Sequence, residues 1–290
     1  MYNSPLHDNA LKETVLITGA GGFLARNLRA ALIEAGYTNI LTLGRKPLES
    51  TETDYGLHFT DIKLLKAGFE QIDIIFHLAS FVPYGRFHLP DPEFYLSNIL
   101  LTGELVSLYP EARFVFASSV SVFGQPLYLP ISISHPFNNP DYYGLSKIAG
   151  EVIVRNHRNY AVIRFSSIVG KGMRPVSMLP KMVQQAKGNG IINIWGSGER
   201  RQNYIDVQDA VRLCMRCGTS AMCIATLGVG ARAYSNLAVA EYIASLTGAD
   251  IEFSGVDHSP SFEYDAEKEY ELLGYSPEIT LEQTITSMLV

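Results

Sequence analysis

No uninterrupted apolar run in these 290 residues approaches the about 18 that a membrane-spanning helix needs. Residues 1–13, MYNSPLHDNALKE, lack the basic start and apolar core of a secretory signal, which makes a cytoplasmic chain the expectation. Blocks of like charge are missing too. With a formal net charge of −6, that argues against a polyanion-binding face, and so against nucleic acid as a partner. Cysteine is scarce: Cys214, Cys217 and Cys223 are the three. The first two are spaced C-x-x-C, but no histidine lies among them and the pair falls inside a helical pattern running from Val207 to about Arg216. They read as packing cysteines, and no metal is expected.

What is present is a core-forming composition. With 47% hydrophobic residues, a chain of this length removes about 75% of its unfolded surface from water, enough for one α/β domain and a smaller satellite. Short β-rich runs (Thr14–Thr18, Ile40–Leu43, Ile72–His77, Arg113–Ala117, Ala161–Phe165) alternate with amphipathic stretches (Ala25–Ala35, Phe94–Leu108, Tyr143–Asn156). Alternation of this kind implies right-handed crossovers and a buried parallel sheet, hence a doubly wound, Rossmann-type α/β fold. From about Met173 the alternation loosens into a helical stretch (Leu179–Lys187), the strand-like IINIWG, a helix over Asn236–Thr247 and a last one from Thr280. The expected layout is a flexible segment at 1–13, a dinucleotide-binding domain at 14–172, and a smaller C-terminal α/β substrate subdomain at 173–290 with segments returning to the first.

The stretch VLITGAGGFLARNL, Val15–Leu28, has a strand before it and a helical pattern after it. Gly19 permits a tight turn, Gly22 lets backbone approach a pyrophosphate, and the helix after them offers free N–H groups, making Phe23 and Leu24 candidates as well. Ala25 stands where a third glycine is usual and adds only a methyl group at a helix–strand packing position. At the end of the second strand, LTLGRKP puts Gly44 near the position where a carboxylate would select NAD, followed by Arg45 and Lys46. With no carboxylate there to repel a 2′-phosphate, NADP is favoured and NAD stays possible.

SSVSVFG (Ser118–Gly124) follows a buried strand, and farther on YYGLSK places Tyr143 and Lys147 one turn apart on a helix face. An ammonium beside a phenol favours the phenolate, so Tyr143 would exchange a proton with a substrate oxygen while a nicotinamide exchanges hydride at the same carbon. Ser119 would hold that oxygen in line. Tyr142 is one residue out of phase with Lys147, and His77 reads as a satisfied core histidine.

Taken together, TGAGGFLA, IIFHLAS, SNILLTGEL, FASSVSVFG, YYGLSKIAGE, VIRFSSIVGKG, IWGSGERRQNYIDVQDA and LLGYSPEITLEQTI make the chain resemble an extended short-chain dehydrogenase/reductase of the NAD-dependent epimerase/dehydratase family. The resemblance implies a nucleotide-sugar substrate, Asp61 and Ile62 beside the adenine, Leu78, Ala79 and Ser80 lining the cofactor, and Asn98 supporting the active site. It implies a homodimer through the helices after Asn98 and Tyr143. Three departures matter. Val120 and Ser121 stand where dehydratases carry an Asp-Glu pair, so elimination of water is not expected. Ser167 replaces an asparagine, and Gln202 replaces the arginine that grips the diphosphate, with Arg200 and Arg201 just before it, so Ser167 and Arg201 become the substrate-binding candidates. An epimerase or reductase of a nucleotide-sugar is the expectation, with an NADPH-dependent reductase of a non-nucleotide ketone and a non-catalytic dinucleotide sensor as alternatives.

Overall fold

The computed structural model describes residues 11–44, 56–57, 62–82 and 92–290. Arg45 and Asp61, both cofactor candidates, lie outside the described residues. Strand β1 (Leu11–Thr18) starts earlier than the Thr14 read from the sequence, because the Leu11 N–H bonds the Gly36 carbonyl at 3.1 Å. Its residues Val15, Leu16 and Ile17 are wholly buried, as a strand covered on both faces must be. Helix α1 (Phe23–Glu34) lays Ala25, Leu28 and Leu32 on the sheet at helical spacing.

There follow β2 (Tyr37–Leu43), β3 (Gly56–Leu57), α2 (Ile62–Gly68) and β4 (Ile74–His77). Helix α3 (Pro92–Tyr95) passes through a π-helical segment at Leu96–Leu100 into α4 (Leu101–Leu108). Strand β5 (Arg113–Ser119) leads into a 3₁₀ turn, Val120–Phe123, and then come α5 (Tyr142–Arg155) and β6 (Tyr160–Phe165). The remainder comprises β7 (Ser167–Val169), α6 (Met178–Gly188), β8 (Ile191–Trp195), β9 (Arg201–Asp206), α7 (Val207–Thr219), β10 (Ile224–Gly228), β11 (Ala233–Ser235), α8 (Asn236–Thr247), β12 (Asp250–Ser254), α9 (Glu267–Leu273) and α10 (Leu281–Leu289).

Among the described residues the main sheet has seven strands in the order β10-β6-β5-β4-β1-β2-β3, every neighbouring pair parallel. The doubly wound α/β fold expected from the sequence is therefore the fold observed. From β1 the chain winds outward through β2 and β3, then returns to place β4 on the other side. That reversal opens a crevice beyond the carboxyl ends of β1 and β4, where ligands bind in sheets of this kind.

A smaller lobe is built from the sheets β11-β9-β7 and β12-β8 with α6, α8 and α10, around Leu179, Met182, Ile192, Ile194, Val239 and Ile243. Not all of the later chain belongs to it. Strand β10 pairs with β6, and α7 buries Leu213, Cys214 and Cys217 in the main core together with Tyr270 and Leu273 of α9. Burial holds the thiols of both Cys214 and Cys217 in their neutral form, the latter pushed up to about 12. They pack, as the apolar surroundings require.

Candidate active site

The crevice is bounded on one side by the glycine turn. Gly19 has φ +73, and a Cβ there would lie 2.8 Å from the Ala79 backbone, so the turn and the end of β4 touch only because a side chain is absent. Gly22 has an ordinary φ of −71, yet its N–H bonds the Gly19 carbonyl at 2.7 Å and a Cβ would stand 2.9 Å from that oxygen. Here it is the tightness of the turn that demands glycine. Helix α1 opens at Phe23 and Leu24 with no side-chain cap and no acidic residue in its first turn. That leaves a positive helix end facing the crevice, the environment a pyrophosphate needs. Ala25 is 2% exposed within the main core, so its methyl group fills packing space and leaves the turn unaltered.

On the other side, Leu78, Ala79 and Ser80 leave β4 half-buried. Asn98, buried in the π-helical segment, fixes them: its Oδ1 accepts from the Phe81 N–H at 2.7 Å and from Ser80 Oγ at 3.2 Å, and its Nδ2 donates to the Phe81 carbonyl and to Ser146 Oγ, both at 3.1 Å. Both acceptor lone pairs and both N–H groups of the amide are used, which makes it a rigid clasp between three elements. Ile62, at the start of α2, is buried with Leu16 and Leu41 in the layer behind the sheet.

The carboxyl end of β5 sorts two serines onto opposite faces. Ser118 Oγ donates to Glu151 Oε1 at 2.6 Å inside the protein. Ser119 turns toward the crevice and caps the 3₁₀ turn, its Oγ accepting the Ser121 N–H and bonding Ser121 Oγ, each at 3.1 Å. Asp141 caps α5 by accepting the Gly144 N–H at 2.7 Å. One turn beyond Tyr143, Lys147 is 2% exposed; its Nζ donates to the Ala117 carbonyl at 2.8 Å and lies 5.8 Å from the Tyr143 ring centre. Loss of hydration lowers Lys147 to about 7, with Glu151 acting the other way. Tyr142 stands 47% exposed on another face of the helix.

Behind this face, Arg164 forks onto Glu151 at 2.9 and 2.8 Å and donates to the Ile133 carbonyl at 2.9 Å. Desolvation pushes the Glu151 carboxyl up, but bonds from Arg164 and Ser118 outweigh it and hold the group below its usual range. The ion pair ties α5, β6 and the loop before α5 into one piece.

On the smaller lobe, Ser167 is exposed on β7, while Gln202 is held by Asn236 Oδ1 at 2.9 Å. Arg201 does not stand open: its Nε lies 2.7 Å from Glu263. Arg200 lies 3.8 Å from Asp257. No spacing rule links arginines at the start of β9 to Asp257 and Glu263, so local sequence patterns carry no trace of these partners. Among the described residues no cluster of His, Cys, Asp and Glu could hold a metal, and no helix is long and apolar enough to cross a membrane.

Known proteins similar to this chain share one family. A putative UDP-glucose 4-epimerase of Methanocaldococcus jannaschii is 28% identical over 218 residues, 68% of this chain and 71% of that protein. A dTDP-D-glucose 4,6-dehydratase of Homo sapiens is 28% identical over 223 residues, 69% of this chain and 63% of the relative. Among solved structures, MoeE5 in complex with UDP-glucose and NAD superimposes with a TM-score of 0.84 at 22% identity, over 95% of this chain and 97% of that one. The UDP-glucuronic acid 4-epimerase of Bacillus cereus, in complex with UDP-glucuronic acid and NAD, gives 0.82 at 20% identity over 95% and 98% of the two chains. Residues 15–221, from the buried core of β1 to the end of α7, match one family throughout, and the chain belongs to the NAD-dependent epimerase/dehydratase family.

Proposed function

We propose that the chain is a nicotinamide-dependent epimerase or reductase acting on a secondary alcohol or ketone of a nucleotide-sugar, with Ser119, Tyr143 and Lys147 as its catalytic residues. The observation that carries this reading is the placement of a desolvated Lys147 one turn from Tyr143, on the helix that abuts the Ser119 turn. Glycines 19 and 22 with the uncapped start of α1 fit the pyrophosphate of a dinucleotide, and Leu78, Ala79 and Ser80, across from Gly19, would line the cofactor. A bound nicotinamide would supply the hydride acceptor and donor.

The chain's own groups do the rest. Tyr143 takes or returns the proton of the reacting oxygen, the Lys147 ammonium favours its phenolate, and Ser119 swings its hydroxyl from Ser121 onto that oxygen. Elimination of water is not favoured, since Val120 and Ser121 stand where dehydratases carry Asp and Glu, and neither side chain is an acid or a base near neutral pH. For the substrate diphosphate, Arg201 is the first candidate. Its pairing with Glu263 is half-exposed and so is worth only about 0–1 kcal/mol, which a bidentate bond to phosphate offsets. Solved neighbours in complex with NAD support a nicotinamide dinucleotide in general. The lean toward NADP rests on Gly44 and Arg45 in the sequence. Exposed Leu96, Leu100, Leu145 and Val152, on the adjacent α3–α4 and α5 helices, favour a homodimer through that face.

Replacing Tyr143 by Phe tests the mechanism. Turnover of UDP-glucose or UDP-glucuronic acid, offered as probes, should fall by at least about 10²-fold with NADH and NADPH affinity unchanged. Undiminished turnover would overturn the assignment.

A further inference from the structure

His77, the last residue of β4, is fully buried and the proposed chemistry makes no use of it. Both ring nitrogens are nonetheless bonded, Nδ1 2.7 Å from Thr18 Oγ1 and Nε2 2.9 Å from Thr102 Oγ1. A threonine hydroxyl has a single proton to give, and that decides the direction of the whole chain. Thr102 can give its proton to the Asn98 carbonyl at 3.3 Å only by accepting from Nε2–H. Thr18 accepts the Ala79 N–H at 3.0 Å and sends its own proton to Nδ1, which carries none in that tautomer.

Neutral, Nε2-protonated imidazole satisfies every partner. An imidazolium would donate on both sides and leave the Thr18 proton without an acceptor. Burial, helped by nearby Lys147, lowers His77 to about 3, in keeping with a ring that stays neutral. The ring also lies 5.7 Å from that of Phe116, whose face carries the Lys147 ammonium at 5.0 Å.

This chain runs from one wall of the crevice to the other. One end is Thr18, the residue before Gly19, which itself packs on the Ala79 backbone without a side chain. The other is Asn98, whose side chain holds Ser80 and Phe81 and reaches Ser146, itself bonded to the Tyr143 carbonyl at 2.8 Å. A core valine or leucine would fill the space of His77 and would connect nothing.

We propose that His77 is a positioning residue of the cofactor site, a one-way hydrogen-bond link through Thr18 and Thr102 that holds the glycine turn and the Ala79–Phe81 wall in register with α5. This rests on the proposed function, because it assigns what the register is for. Thr18→Val and Thr102→Val each remove one hydroxyl at constant shape, and Thr18→Ser and Thr102→Ser keep it. Thr102 lies on the far side of the ring from the glycine turn and touches both His77 and the Asn98 carbonyl, so it is the double variant that separates the route through His77 from one through Asn98.

Titrating the full-length variants with NADH and with NADPH, followed by cofactor fluorescence, each Val variant should bind about tenfold more weakly. The Ser variants should bind like the unaltered chain, and the double Val variant should lose no more than the worse single one, since a link is broken only once. Losses that multiply in the double variant, failure of serine to restore affinity, or a Thr102→Val chain that keeps its thermal transition and binds normally would each overturn the inference while leaving the proposed function standing. An unaltered chain that binds neither dinucleotide would overturn both.

Discussion

Lys147 carries opposite demands from folding and from the proposed chemistry, and single residues are where such conflicts are read. Its ammonium is buried with one carbonyl for a partner, which brings it to about 7 from the 10.5 of a free lysine. Between those two values the unfolded chain holds a proton that the folded chain has released, so stability rises with pH across that window. Below it both states are protonated, and the full cost of burying the charge is felt. Lys147→Met should therefore abolish turnover and yet unfold at no lower a denaturant concentration than the unaltered chain at about pH 7, with the rise in midpoint toward about pH 9 absent. A variant clearly less stable at neutral pH would show that the ammonium supports the fold. At this scale much is legible: local order and spacing single out Gly19, Gly22, Ser119, Tyr143 and Lys147, and the structure sets the glycines in a tight turn after β1 and Tyr143 and Lys147 on the helix packed against the Ser119 turn. The partners of Arg201 are not, because an ion pair across distant segments leaves no periodic trace.

Between elements, the decisive contact is α5 against the 3₁₀ turn after β5. Gly144 has no side chain, and a Cβ there would fall 2.3 Å from the Ser121 carbonyl oxygen, a backbone atom that has no rotamer by which to withdraw. The same applies at Gly124, φ +63, where a Cβ would fall 2.1 Å from the Asn138 carbonyl. The 3₁₀ turn thus meets α5 at one glycine and the loop before α5 at another, at bare backbone. Gly144→Ala must push the Tyr143 helix away from Ser119, and a displacement of about 1 Å costs about 10² in rate. The expected result is a fall of that size in kcat for the probe sugars with NADH affinity near normal, because the Gly19–Ala79 contact is not involved; an unchanged kcat would show that the helix is not held by this contact. Reading YYGLSKIAGE as one amphipathic helix recovers α5, but the apolar residues divide between duties: Val154 is fully buried while Leu145 and Val152 are exposed. The π-helical segment that presents Asn98 has no signature in SNILLTGEL, since a single widened turn does not disturb the apolar pattern around it.

For the molecule as a whole, the question is how the smaller lobe closes on the crevice. The strand-like segment ending at Asp265 answers it. Phe262 N–H bonds the Arg201 carbonyl at 2.9 Å, Ile131 N–H bonds the Glu263 carbonyl at 2.7 Å, and Asp265 N–H bonds the Ile131 carbonyl at 2.9 Å. The segment thereby joins β9 of the smaller lobe to the loop that leads into α5, and Glu263 arrives beside Arg201 as part of that strap. Glu263→Gln keeps the shape and removes the competing charge, so binding of UDP or a UDP-sugar should tighten by up to about fivefold, the worth of an exposed pair. Calorimetry showing unaltered affinity would place the diphosphate elsewhere. The sequence alone determined the doubly wound order, the glycine turn and the Tyr–Lys helix face, since these follow from steric rules and repeat periods that act within a few residues. Only the tertiary structure decided which later segments return to the main core, namely α7, β10 and α9, that Arg201 meets Glu263, and that His77 bonds Thr18 on one side and Thr102 on the other. Those are contacts between segments far apart in the chain, set by how whole elements pack and by which buried polar groups must then find partners.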